Sequence, residues 1–319
     1  MVFHMKQSPY KESGLVSIVM PNYNKEEFVE QAITSCLTQS YPNIELIVID
    51  DGSTDSSSKI IKNLASKDQR IHATFCRHIG KVMAINTGIS KARGDFIKLW
   101  ASDDVLKPNA IELLLKFIEG YDLVAHNIEV VNENMQTISK KIIDRKMVSE
   151  EEIDIAMVLK GVSHPSGCYF FRRPVLLSVF PIPEDATYED WYIFLILILN
   201  KYNIHYWDES VGYYRQTMKN AYKGVYNFSK KTFFFRKERD LQMLKVFKKI
   251  IPDEYHNILE NKIMVNELLL HSDFKRLFKS NINAVDKVNI FIFKYVYFIS
   301  EYYAKIKALK SHITAKYCE

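Results

Sequence analysis

From residue 15 to residue 119 the chain alternates short apolar runs with stretches of helical spacing. The apolar runs, 15–20, 45–49, 70–76 and 96–100, have strand length and stop at Pro, Asp or other polar residues, which predicts buried strands. Between them, residues 26–39 place Phe28, Ala32, Ile33, Cys36 and Leu37 at helical intervals, and 53–65 do the same with Ile60, Ile61 and Leu64 behind Ser, Thr and Asp capping residues. Residues 82–92 and 109–119 complete the helical set. A strand–helix rhythm of this kind predicts a parallel sheet covered on both faces. In such sheets ligands sit outside the carboxyl ends of the strands. Three polar clusters fall at such ends: 21–24 (Pro-Asn-Tyr-Asn), 50–55 (Asp-Asp-Gly-Ser-Thr-Asp) and 102–104 (Ser-Asp-Asp).

Beyond residue 120 the pattern changes. Residues 122–126, 128–131 and 169–171 read as strands between polar turns, 191–200 as an apolar helix, and 204–207 and 211–215 as closing strands. After about residue 220 the spacing is helical, aromatic and basic. Residues 1–220 are therefore read as one α/β domain and 221–319 as a helical, basic C-terminal region.

Composition narrows the function. A chain of 319 residues with 47% hydrophobic and 25% charged content is globular. Its four cysteines, Cys36, Cys76, Cys168 and Cys318, have no CxxC spacing and its nine histidines no paired spacing, which speaks against a zinc site and for a reducing compartment. The start lacks a basic-then-apolar leader, and the longest apolar run, 191–199, has about half the length a membrane span needs. The expected location is the cytoplasm, soluble or peripheral at the inner face of the cytoplasmic membrane. The net charge of +5 is uneven. From residue 228 onward 18 Lys/Arg face 10 Asp/Glu, a net +8, while the preceding part carries 25 against 28.

The acidic clusters carry the candidate chemistry. Asp50 and Asp51 either cap the following helix or contact a ligand. Asp103 and Asp104 follow an apolar strand, where two adjacent carboxylates are costly. They are read either as a solvated turn or as a site for Mg²⁺ or Mn²⁺ carrying a diphosphate. Glu189 and Asp190 open an apolar helix, where the helix dipole favours them. The sharper reading is a general base at the mouth of a pocket.

Taken together, these segments resemble the family 2 glycosyltransferases, inverting nucleotide-sugar transferases of GT-A (Rossmann-like) fold. The matching text is 16–24, then 33–39 with 41–55, 80–88 with 92–97, 102–106, Glu189 with Asp190, and 213–215. It covers about residues 15 to 215. The resemblance implies a mixed, mostly parallel sheet. It implies that Pro21, Tyr23 and Asn24 shape the nucleotide pocket and that Asp51 meets the base, most often uracil. It also implies that Asp103 faces the ribose or diphosphate and shares the metal with Asp104, and that Asp190 is the catalytic base. Ser102 and Asn86 fall in matched segments and are carried as nucleotide-sugar contacts. The family often has an acid where this chain has Ala101 and an Arg where it has Ile85, so Lys81 or Arg77 is the candidate cation for the diphosphate. The Gln-x-x-Arg-Trp motif of the processive synthases is absent, which favours transfer of single sugars. His164, Glu189 and Trp191 are candidate acceptor contacts, against a simple turn at 165–167 and packing of Trp191.

The expected activity is metal-dependent transfer of one sugar, from UDP, to a saccharide, lipid-linked or glycoprotein acceptor in bacterial surface glycan assembly. The competing readings are a non-catalytic nucleotide-sugar-binding scaffold and a nucleotidyltransferase. The latter needs a glycine-rich basic phosphate loop that residues 19–24 do not provide. The basic tail, with Phe233, Phe234 and Phe235 among its lysines, is a candidate contact for an anionic membrane surface, for the catalytic domain or for a second copy of the chain. Nucleic acid is disfavoured by the acidic first half.

Overall fold

The computed structural model describes residues 14–142, 155–159, 165–217 and 230–270. Four parallel strands start the sheet: β1 (Val16–Asn22), β2 (Ile44–Asp50), β3 (Ile71–Phe75) and β4 (Phe96–Leu99). β1 pairs with β2 and β4, and β2 with β3, all in parallel. β2 is buried along its whole length and β1 everywhere but Pro21, as parallel strands covered on both faces must be. The covering helices are α1 (Val29–Leu37), α2 (Ser57–Ala65) and α3 (Lys81–Lys91). α1 buries Val29, Ala32, Ile33 and Cys36, one stripe at helical spacing. α3 lies close on the sheet because Gly88 has no side chain there: a Cβ would fall 2.4 Å from Val19 Cγ1.

The second half of the sheet is mixed. It comprises β5 (Val105–Leu106), β6 (Leu123–Val131), β7 (Thr137–Ser139), β8 (Tyr169–Arg172) and β9 (Ile204–Arg215). The order is β3-β2-β1-β4-β8-β6-β9-β5, with β7 on β6. β8 runs antiparallel to both β4 and β6, while β6 and β9 are parallel to one another. The helices here are α4 (Ala110–Phe117), α5 (Ile155–Leu159), α6 (Arg173–Val179) and α7 (Glu189–Leu199). The short elements β5, β7, α5 and α6 give too little periodicity to be seen in the sequence.

Two pairs of expected strands turn out to be single ones. Residues 122–126 and 128–131 form β6, and 204–207 and 211–215 form β9. The polar residues that suggested breaks sit at register shifts around Asn127 and fill the interrupted ladder. Asn127 Oδ1 accepts from the Ile142 amide (2.9 Å), its Nδ2 donates to Asp208 (3.1 Å), and Ser210 Oγ accepts from the Glu129 amide (3.0 Å).

The chain divides into two compact units, residues 1–226 with 249–251, and 227–248 with 252–319. In the second unit α8 (Lys230–Phe247) and α9 (His256–Leu270) pack antiparallel, with Lys245 facing Glu267 and Lys248 facing Glu260. Among the described residues no helix is long and apolar enough to cross a membrane. The aromatic stretch 288–303 lies outside the described residues.

Candidate active site

The carboxyl ends of β1, β2 and β4 bring the three polar clusters to one edge of the sheet. Asp50 and Asp51, adjacent in sequence, do different jobs there. The Asp50 carboxylate accepts from Asn22 Nδ2 (2.7 Å), from Ser53 Oγ (2.6 Å) and from Ser58 Oγ. It ties β1 to β2 and to the start of α2, and is fully spent on the fold. The Asp51 carboxylate turns to the loop before α3. It accepts from the amides of Ile79 (2.6 Å) and Gly80 (3.1 Å) and faces His78 Nδ1 at 3.0 Å. Gly52 makes this possible: its φ is +72°, and a Cβ would meet the His78 backbone nitrogen at 2.7 Å.

Tyr23 and Asn24 flank this corner. The Tyr23 ring, 43% exposed, stacks on His78 with centroids 4.5 Å apart. Asn24 adopts φ +50°, a left-handed conformation Asn tolerates, and its side chain accepts from the Thr54 amide (2.8 Å). Pro21 occupies β1 opposite Ile49. Ser53, Thr54 and Asp55 were expected to start α2. Instead they bind the 22–26 segment, and the helix begins at Ser57.

Ser102, Asp103 and Asp104 are all buried, in a turn closed by the Asp104 amide donating to the Ala101 carbonyl (3.3 Å). Lys25 Nζ lies 2.5 Å from Asp103 Oδ2. Arg215 holds the turn from the far end of β9. Its amide donates to Asp104 Oδ1 (2.8 Å) and its Nε to the Asp103 carbonyl (2.9 Å). Its guanidinium reaches Gln31 and the Glu133 carbonyl and stacks 4.6 Å over Phe28. Burial, and then the neighbouring Asp103 carboxylate, push Asp104 well above the ordinary carboxylate range. Among the described residues no group of three or more Asp, Glu, His or Cys side chains converges as a complete metal shell. The pair fits a hard cation that completes its oxygen shell with substrate phosphates.

Glu189 and Asp190 open α7, close enough to Lys81 that it feels them and Asp103 together. Lys81, at the start of α3, is paired with Glu189, which also accepts from Ser166 Oγ (3.1 Å). The Lys81 side chain keeps 54% of its surface in water, so the desolvation of its ammonium is partial, and Glu189, then Asp190 and Asp103, outweigh it and raise its pKa. Lys81 thus feels both acidic pairs. Burial would raise Glu189, yet Lys81 and Ser166 bring it below the usual range. Asp190 lacks such a partner. Burial and the Glu189 charge push it up to about 7, with Lys81 opposing. Asp104 and Asp190, neither of which forms an ion pair with Lys25 or Lys81 at bonding distance, both have raised pKa values.

Two expected contacts are otherwise engaged. The Asn86 amide exchanges two hydrogen bonds with the Ile182 backbone (2.8 and 3.0 Å) and so anchors the segment leading to α7. Trp191 is buried and donates its indole N–H to the Val158 carbonyl (2.7 Å), the geometry of a packing residue. His164 lies outside the described residues. Lys25, His78, Ser166 and Arg215 carry roles the sequence reading did not assign. Lys25 directly follows the 21–24 cluster, and that adjacency was the available signal. The others meet their partners across 23 to 184 residues.

Residues 17–180 match the family model described as Glycosyl transferase family 2. An uncharacterized glycosyltransferase of Haemophilus influenzae is 36% identical over 189 residues, which are 57% of this chain and 70% of that protein. Among solved structures, Staphylococcus aureus TarS 1–349 in complex with UDP-GlcNAc superposes with a TM-score of 0.56 at 18% identity, over 79% of this chain and 72% of that one. The mannosyltransferase PcManGT of Pyrobaculum calidifontis, in complex with GDP-Man and Mn²⁺, superposes with a TM-score of 0.57 at 15% identity, over 97% and 89%.

Proposed function

The chain belongs to glycosyltransferase family 2, and from that premise we propose that it transfers a single sugar, with inversion, from a UDP-sugar to a hydroxyl of a saccharide acceptor in bacterial surface glycan assembly. The observation that carries the mechanism is Asp190. It is a carboxylate in the first turn of α7, beside the Lys81–Glu189 pair, and burial and Glu189 push its pKa up to about 7, which is where a general base is most effective.

In this reading Asp190 takes the proton of the acceptor hydroxyl. The freed oxygen attacks the anomeric carbon from the face opposite the nucleoside diphosphate, the bond to the diphosphate breaks, and the configuration inverts. The Lys81–Glu189 pair fixes the start of α7 and with it the position of Asp190. Tyr23 and His78 form an aromatic platform for the nucleobase beside Asp51, and Pro21 and Asn24 shape its floor. Asp104 and Asp103 would hold Mn²⁺ or Mg²⁺, which when bound neutralises charge growing on the departing diphosphate.

The test is nucleotide release from a panel of UDP-, GDP-, dTDP- and CMP-sugars with and without Mn²⁺ or Mg²⁺. Metal-dependent release from a UDP-sugar, abolished in Asp104→Ala and Asp190→Asn, is the expected result. No release and no thermal stabilisation by any nucleotide would overturn the reading in favour of a non-catalytic scaffold.

A further inference from the structure

Lys98 is the middle of the apolar strand β4 and is fully buried. A charged side chain in such a place is costly unless its hydrogen bonds are met. Its ammonium donates to the Gly167 carbonyl and, at longer range, to those of Tyr169 (3.2 Å) and Leu99 (3.3 Å). Two of these acceptors belong to the 3₁₀ turn Ser166–Cys168 and the first residue of β8. Three N–H bonds and three carbonyls leave no donor unused. A neutral amine would have two donors and would turn its lone pair toward a carbonyl oxygen.

The gripped turn leads to the start of α7. Ser166, next to Gly167, donates to Glu189, which is paired with Lys81 and precedes Asp190. A continuous path of hydrogen bonds and two peptide links therefore joins a core lysine to the proposed base. Resting on the transferase reading above, we infer that Lys98 is a positioning residue: by holding the carbonyls of the 166–169 turn it sets Ser166 against Glu189 and thereby the orientation of Asp190.

The surroundings give this grip a pH dependence. Burial brings Lys98 down to about 7. Of the groups facing it, Cys168 beside β8 and Cys36 on α1 are pushed up to about 12 by burial and are neutral. Asp104 beyond β4 is itself raised, and His126 on β6 is lowered by burial and by Lys98, hence also neutral. No full counter-charge adjoins the ammonium, so its carbonyl bonds depend on its own protonation. The same core carries buried Trp100 Nε1 and His126 Nε2 without hydrogen-bond partners among the described residues, and the Lys98 ammonium lies 4.8 Å over the Trp100 ring.

The experiment compares wild type, Lys98→Met and Ser166→Ala across pH 5.5–9. Expected in Lys98→Met are a kcat reduced by about 10–100-fold, an unchanged UDP affinity, an undiminished Tm, and loss of the alkaline limb near pH 7 that wild type shows. Ser166→Ala should reproduce the kcat loss without touching the core. A Lys98→Met enzyme that keeps the alkaline limb, or loses UDP affinity and Tm together with kcat, would overturn the inference and leave Lys98 a structural residue. If wild type turns over none of the donors, the transferase reading is what fails. The coupling is then read by NMR on the full chain. Titration of the Lys98 Cε resonance near pH 7, followed by the Ser166 and Glu189 amides, supports it, and amides that do not follow refute it.

Discussion

Lys25 Nζ sits 2.5 Å from Asp103 Oδ2, placing a side-chain cation against one of the two carboxylates read as a metal site. The two partners keep only 19% and 11% of their side-chain surface in water. Lys25→Met should therefore destabilise the metal-free protein by about 1–3 kcal/mol, through an uncompensated acid in a crowded site. Mn²⁺ should restore more stability to the variant than it adds to wild type. Thermal unfolding with and without Mn²⁺ checks this, and an equal Mn²⁺ increment in both proteins would contradict it.

Asp190→Asn should lower kcat by about 10²–10⁴-fold and leave the fold intact. The pH behaviour has a defined sign. The acid limb of the wild-type rate should rise as pH passes about 7, where Asp190 loses its proton. Because its folded pKa is raised, Asp190 supports folding at low pH, and this support is lost as pH climbs from about 4 toward 7. The Asn variant should therefore melt higher than wild type at pH 8 and match it at pH 4. Melting curves at the two pH values decide the point.

Asp51 joins β2 to the loop before α3 through the Ile79 and Gly80 amides. Asp51→Asn turns one acceptor oxygen into a donor that faces other donors, at a cost of about 1–3 kcal/mol. The same change frees His78 from its carboxylate and loosens its stack with Tyr23. The expected outcome is a modest fall in Tm and a large fall in UDP affinity, read by calorimetry. Unchanged UDP affinity would place the nucleobase elsewhere.

Glu45 makes the complementary control at the opposite end of the sheet. Burial would raise it, but Ser17 Oγ (2.6 Å) and the Arg93 amide and guanidinium (2.7–2.9 Å) lower it. A depressed carboxylate contributes stability above its unfolded pKa and loses it as pH falls through the folded one. Glu45→Gln should cost about 1–3 kcal/mol at pH 7, with the gap to wild type closing below about pH 4, and should leave kcat unchanged. A change in turnover would show that the two ends of the sheet are coupled.

The first half of the fold was legible because buried parallel strands and amphipathic helices write strong periods into the chain. That the three polar clusters share one edge of the sheet was legible for a related reason, since strand ends are where acids and asparagines interrupt those periods. What the periods do not record is a partner. Asp50 and Asp51 are alike as text, yet one is spent on Asn22 and two serines and the other on a loop 28 residues away. Arg93 and Asp95, within a family-like segment, hold Glu45 and the Gly14 amide and serve the fold. Lys98 in an apolar run reads as an ordinary strand residue until its carbonyls, about 70 residues ahead, are seen. Asn127, Asp208 and Ser210 looked like chain breaks because their side chains replace ladder bonds that only the paired strands reveal.

β9 carries a consequence for anyone trimming this protein. Its last residue, Arg215, braces the turn that presents Asp103 and Asp104, more than a hundred positions upstream. Residues 17–180, the span shared with the family description, keep both of those acids. A fragment cut at 180 would lose their brace along with Asp190, leaving Asp104 Oδ1 without the Arg215 amide and the Asp103 carbonyl without the Arg215 guanidinium. The smallest excisable unit with an intact acidic turn runs past Arg215, so the useful boundary for expression lies at the end of β9 and beyond the edge of sequence similarity.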